Sequence, residues 1–340
     1  MNSKNITVIL TGGTIGSTVE DSVINIGDSS IVVNEYKKKY DNNAEFNIIN
    51  PFNILSENSN PKMWDKLSSA IDSVYEQSDG IIITHGTDTL SYTSAYIALK
   101  YAGTKKPIIF VASNHPIGHE KSNGLCNFKN AVDFINNESF SGIFTIFKNS
   151  NDKALVHIAS RLIEADNYND DFTSYGNVPY GVMEFGRFVK YSNDVNPKAF
   201  MLKDKKPINY LQPLNNEIFI IRAYPGLDYE AINFVDKPKA VLHIMYHSGT
   251  ASTSSGKYSL LSFIERCNEE NIDVYALGFK SKEFDKYKTA HDIINTGAIP
   301  IYNTSIEAAY AKLIMAYNQD KMQPEDFMEQ EIYFEVLRGK

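Results

Sequence analysis

Two unequal α/β domains, a larger N-terminal one built on a doubly wound, mainly parallel sheet and a smaller C-terminal one, are what this 340-residue sequence predicts. Three observations carry that expectation. Short, wholly apolar runs stop abruptly at polar turns, as strands buried on both faces do. Between them, apolar residues recur at three- and four-residue spacing, the period of helices packed on a sheet. From Phe188 to Pro213 the pattern breaks into Lys, Asp and Asn with Pro197, Pro207 and Pro213, and a shorter α/β series follows. The expected domains are therefore 1–188 and 214–340, joined by a linker over 189–213.

In chain order, Ile6 to Leu10, Gly80 to Ile83, Pro107 to Val111 and Gly142 to Phe147 are the clearest strands of the first half. Trp64 to Tyr75, Thr93 to Tyr101 and Asn127 to Ile135 carry the helical period. In the second series, Glu217 to Arg222, Ala240 to Tyr246 and Asp273 to Gly278 read as strands, and Leu260 to Asn268 and Ser305 to Tyr317 as helices. Internal repeats and low-complexity tracts are absent from the sequence.

Chemistry gathers at two strand ends. After Ile6 to Leu10 comes Thr11 to Gly16, TGGTIG, which presents Thr14 on a glycine-rich turn. After Ile81 to Ile83 comes THGTDTL, which sets Thr87 beside Asp88. Open α/β sheets bind ligands at the carboxyl ends of their strands, so both turns belong on the functional edge. A dinucleotide site is the weaker reading of the first turn, because Thr11 stands where G-x-G-x-x-G needs its first glycine. No Gly-Lys-Ser/Thr follows, which excludes a Walker A loop.

The pairing of TGGTIG with HGTDT about seventy residues later resembles the signature of the bacterial L-asparaginases and glutaminase-asparaginases. Leu55-Ser56-Glu57-Asn58 before Trp64, Ala112 to Pro116, Ser122 to Asn127, Gly297 to Pro300 and Ile306 to Leu313 extend the resemblance along nearly the whole chain. It implies two α/β domains and hydrolysis of the side-chain amide of L-asparagine or L-glutamine to the acid and ammonia, with no cofactor and no metal. By the same resemblance Thr14 is the nucleophile, and Thr87 orients water or assists from the far side. Asp88 holds the substrate α-ammonium with Glu57 as a second anionic contact, and Ser56 holds the α-carboxylate. Gly12, Gly13 and Gly86 either bring backbone N–H groups near the developing oxyanion or simply permit positive-φ turns. A homodimer or homotetramer is implied as well.

Three departures from the family pattern have chemical consequences. The lysine expected after Arg161 is replaced by Ile163, Glu164 or Ala165, and Lys153 comes too early. Gly16 to Val33 lacks the tyrosine that should serve Thr14, Tyr36 being the first available. Thr250 stands where an asparagine would cross a dimer interface. A threonine hydroxyl needs a base or a strong local field to attack an amide, so the binding half of the site is retained and the activating half altered. The alternatives are an amidohydrolase for a different amide and a catalytically impaired homologue that binds amino acids.

A formal net charge of −8 argues against nucleic acid, which requires a basic stripe. No apolar stretch reaches the roughly 18–20 residues of a membrane helix, and two cysteines make no disulfide framework. The first strand begins within about six residues of Met1 without a charged-then-apolar leader, so a cytoplasmic, reduced location is expected. His115 and His119 flank Pro116 and Gly118, which prevent the helical turn a shared metal would need. His243 and His247 fall on an expected strand, where histidines are more often core than ligands. The abundant Tyr and Phe read as packing.

Overall fold

The computed structural model describes residues 4–20, 23–26, 30–41, 43–280 and 287–338, and it divides the chain into two compact units. The first comprises 1–209 with 332–335, the second 210–331 with 336–340.

In the first unit β1 (Ile6–Leu10) leads through a hairpin, β2 (Ser17–Glu20) and β3 (Val23–Ile26), to α1 (Ile31–Lys39) and β4 (Phe46–Ile49). Next come α2 (Pro61–Val74), β5 (Gly80–Thr84), α3 (Leu90–Lys100), β6 (Pro107–Val111), α4 (Gly124–Asn137) and β7 (Gly142–Lys148). Three antiparallel strands then extend the sheet: β8 (Ala154–Ile158), β9 (Gly181–Glu184) and β10 (Arg187–Lys190). The eight-stranded order is β10-β9-β8-β7-β6-β5-β1-β4, with β4, β1, β5, β6 and β7 mutually parallel. Every residue of β1, β5 and β6 is buried, which explains why these strands carry unbroken apolar runs.

Helices cover both faces. Tyr36 of α1 packs edge-on against Phe128 of α4, and Ile135 of α4 lies under Gly80. Trp64 of α2 stacks on Tyr96 of α3 at 4.9 Å between ring centres. Asn60 caps α2, accepting from the Lys62 N–H, and Pro61 occupies the first turn, where its missing N–H costs nothing.

β10 runs through position 188, and the first unit continues to Asn209 after the short helix α5 (Ala199–Leu202). Part of the expected linker thus lies inside this unit. Ile332 to Glu335 also belongs to it. The Arg161 Nε donates to the Phe334 carbonyl, the Ser160 hydroxyl to that of Tyr333, and the Ile143 N–H to the Tyr333 hydroxyl.

The second unit is a four-stranded parallel sheet, ordered β11 (Ile218–Arg222), β12 (Ala240–Ile244), β13 (Asp273–Phe279) and β14 (Ile299–Tyr302). Among the described residues four helices accompany it, α6 (Leu260–Glu269), α7 (Lys288–Asn295), α8 (Ile306–Ala316) and α9 (Pro324–Glu329). Ser259 and Ser305 cap α6 and α8 through their hydroxyls. Its core gathers Val241, Phe263, Ile264, Val274 and Ile293.

Candidate active site

The turn after β1 is shaped by two glycines in the left-handed region, Gly12 at φ 103° and Gly13 at φ 79°. It is stitched to the segment before α2, since the Ile54 N–H donates to the Thr11 carbonyl and the Gly13 N–H to the Ile54 carbonyl, both at 3.2 Å. That stitching carries Ser56, two residues on, to the same strand edge. Gly13 then presses against Gly86: a Cβ added at Gly13 would lie 2.4 Å from the Gly86 Cα. A Cβ at Gly86 would lie 2.5 Å from the Ser56 hydroxyl oxygen. Only glycine permits the β1 turn, the β5 turn and Ser56 to meet so closely. Because the Gly13 N–H is already engaged by Ile54, close approach is the role its geometry supports, rather than donation to an oxyanion.

Around this contact the polar side chains assemble. Ser56, buried, donates from Oγ to Asp88 Oδ2 at 3.1 Å, and Thr89 donates from Oγ1 to the Ser56 carbonyl at 2.9 Å. Thr14 opens a 3₁₀ turn, Thr14–Gly16, that is braced by the Ser17 hydroxyl on the Gly13 carbonyl. Thr14 and Thr87 are half-buried, whereas Asp88 and Glu57 are exposed. His85 is buried, with Nδ1 2.8 Å from the Gly86 carbonyl, and burial pushes its pKa down, so the imidazole is neutral and Nδ1 carries the proton. Thr89 and His85 were not singled out from sequence, although both lie inside the HGTDT motif.

If Asp88 holds an α-ammonium, as the resemblance implies, Asp88→Asn is expected to weaken binding of an amino acid about tenfold or more without unfolding the protein, because a charge-assisted contact would be lost while the exposed position is kept. Calorimetric titration with aspartate checks it, and equal affinity before and after the change removes Asp88 from the binding role.

Residues from the altered half lie elsewhere or are differently engaged. Tyr36 sits in an aromatic cluster with Tyr40, Phe46 and Phe128, and its hydroxyl pKa is raised to about 12, chiefly by burial. Such a phenol is a poor proton acceptor. Arg161 is buried against the Phe334 carbonyl, and Glu164 and Lys153 are exposed. Thr250 meets the Ser248 hydroxyl at 3.0 Å. The His115 and His119 rings stack at 4.5 Å rather than converging on a point. His243 is buried with Nε2 2.9 Å from the Tyr229 hydroxyl, whereas His247 is exposed. Among the described residues no group of three or more His, Cys, Asp or Glu could hold a metal, and no helix is long and apolar enough to cross a membrane.

Comparison with known proteins supplies a context for this geometry. Residues 5–195 match the family described as asparaginase, N-terminal. The chain is 24% identical over 328 residues to a glutamyl-tRNA(Gln) amidotransferase subunit from Methanobrevibacter smithii, spanning 94% of this chain and 73% of that protein. It is 27% identical over 331 residues to the corresponding amidotransferase subunit from Methanococcus maripaludis, at 92% and 75%. Among solved structures, the thermostable L-asparaginase of Thermococcus kodakarensis superposes with a TM-score of 0.81 at 21% identity, covering 98% of this chain and all of that one. L-asparaginase I of Vibrio cholerae gives 0.78 at 22% identity, covering 98% and 99%.

Proposed function

Because the chain belongs to the asparaginase family, we propose that it is an amidohydrolase that converts the side-chain amide of a small amino acid, L-asparagine or L-glutamine, to the acid and ammonia through Thr14. The observation that carries the reading is the meeting of Gly13, Gly86, Ser56 and Asp88 at one sheet edge, with the two threonines on the adjoining turns. A free amino acid has two charged ends. Asp88 takes the α-ammonium, Ser56 turns its hydroxyl from Asp88 to the α-carboxylate, and the exposed Glu57 adds negative potential for the ammonium.

With those ends fixed, the side-chain amide is presented to Thr14. Its Oγ forms a bond to the carboxamide carbon, and the C=O electron pair moves to oxygen. When the tetrahedral species collapses, the C–N bond breaks and ammonia leaves with the proton that Thr14 has given up. Water, oriented by Thr87, then cleaves the acyl-threonine ester and restores the hydroxyl. The names of the two amidotransferase relatives also speak of amide chemistry, which supports the substrate class. The chain works in this reading as a homo-oligomer, without cofactor or metal and in the cytoplasm.

A second reading rests on Glu164 in the lysine stretch: a homologue that binds amino acids and does not turn them over. Ammonia release from a panel of small amides, measured with the wild type and Glu164→Lys, separates the two. The expected result is release by the wild type, raised at least severalfold in Glu164→Lys. If both bind aspartate and neither releases ammonia, the binding-only reading replaces the hydrolytic one.

A further inference from the structure

A second polar cluster lies inside the first unit, sealed from solvent. On β7, Phe144 packs against Phe134 of α4, so Thr145, the next residue, points to the opposite face of the sheet. Thr145 is the cross-strand partner of His157 on β8, which places both side chains on that face. Both residues are fully buried. His157 Nδ1 meets the Ser174 hydroxyl at 2.8 Å, while Nε2 has no protein partner, and neither has Thr145 Oγ1.

A third orphan comes from α3. Ser91 is fully buried and its hydroxyl has no protein partner. Ser94 lies one turn along the same helix face, with Oγ 3.4 Å from the carbonyl of Ala159, the residue that follows β8. Ala159 is two residues beyond His157, a strand rise of roughly 6.6 Å, while Ser91 is about 4.5 Å back along α3. α3 connects the parallel strands β5 and β6 and so runs back against them, as β8 runs against β7; the two offsets therefore run the same way and set Ser91 level with the Thr145–His157 pair.

From these three orphans we infer a binding site for an internal water molecule, held by Ser91 Oγ, Thr145 Oγ1 and His157 Nε2 between α3 and the β7–β8 pair. Three partners are the usual complement of a buried water. Two hydroxyls can each give or take a proton, so the site accommodates either tautomer of the imidazole. Each orphan left without a partner carries the desolvation penalty of a buried polar group, so three together in a native interior call for a common partner. Although a serine beside a histidine can look like a catalytic pair, the Ser174–His157 contact is closed to any substrate and serves instead to orient the ring toward the water. The site anchors α3, the helix that begins at the Thr87–Asp88–Thr89 turn.

A high-resolution crystal structure at neutral pH tests this. The expected result is one density peak within roughly 2.6–3.2 Å of all three atoms, kept in Thr145→Ser and lost in Thr145→Val. Protein carrying ¹⁵N-histidine provides a solution test that needs no variant: the ring resonances of His157 should show a neutral imidazole with a cross-relaxation contact to a long-lived water. A direct Thr145–His157 hydrogen bond with no peak, or a His157 ring without contact to bound water, overturns the inference.

Discussion

Replacing Thr14 by alanine is expected to abolish ammonia release, by at least about a thousandfold, while Thr87→Val retains measurable turnover. The asymmetry follows from the roles proposed for the two threonines, Thr14 as nucleophile and Thr87 as the group that orients water. Loss of the attacking oxygen removes the covalent route, whereas loss of a group that orients water slows a step without deleting it, on the order of a hundredfold. Both threonines are half-buried on turns whose backbone is fixed by other residues, Thr14 by the Gly13–Ile54 and Ser17–Gly13 bonds and Thr87 by the Gly13–Gly86 contact. Neither substitution therefore disturbs the frame. Steady-state kinetics with asparagine and glutamine, together with aspartate affinity, check the prediction. If Thr87→Val is the dead variant and Thr14→Ala the impaired one, the nucleophile has been assigned to the wrong turn.

Acid is expected to destabilise both units through histidines buried in the neutral form. Burial lowers the His157 pKa from 6.5 to about 3, and that of His243 from 6.5 to about 4. The unfolded chain takes up a proton near pH 6.5, while the folded chain takes none at His157 until about pH 3. Between those values the unfolded state holds more protons, so stability is fully present above about pH 6.5 and is lost progressively as pH falls toward 3. At about 1.36 kcal/mol per pH unit, the full window is on the order of 5 kcal/mol for His157 and about 3 kcal/mol for His243. Urea midpoints measured from pH 8 down to about 4 should fall steadily below about 6.5. In His157→Gln the baseline is lower but the slope of the first unit's transition flattens, and an unchanged slope would show that another group carries the acid sensitivity.

The parallel heart of the first unit was legible in the sequence because strands buried on both faces have to be apolar throughout. β1, β5 and β6 meet that condition, and the sequence marks them within a residue. The hairpin β2–β3 and the strands β4 and β8–β10 went unmarked. β4 shows only half-buried and exposed residues, and β9 and β10 are four residues each with charges among them, so neither period nor composition separates them from loop. Attachment of Ile332–Glu335 to the first unit was invisible for a different reason. Its partners Ile143, Ser160 and Arg161 lie more than 170 residues away, and no local pattern encodes such a pairing.

At the candidate site, the turns were legible because a hydroxyl or carboxylate directly after an apolar run has few places to go except the sheet edge. What local pattern could not give was how tightly they meet. The Gly13–Gly86–Ser56 contact joins three segments, and the glycines in TGGTIG and HGTDT are readable as close-approach residues only once their neighbours are known. Tyr36 shows the converse. It is the first tyrosine available in sequence, yet Phe46 and Phe128 provide it with an aromatic setting that no count along the chain could foresee.

A crystal structure of the protein soaked with L-aspartate, the product of asparagine hydrolysis, shows directly whether Asp88, Ser56 and the two threonines form one substrate site. One aspartate is expected at the edge between the β1 and β5 turns. Its α-ammonium should lie on Asp88, its α-carboxylate on Ser56, and its side-chain carboxylate within reach of both Thr14 and Thr87. Aspartate bound elsewhere, or bound there with its side chain turned away from Thr14, would contradict that site.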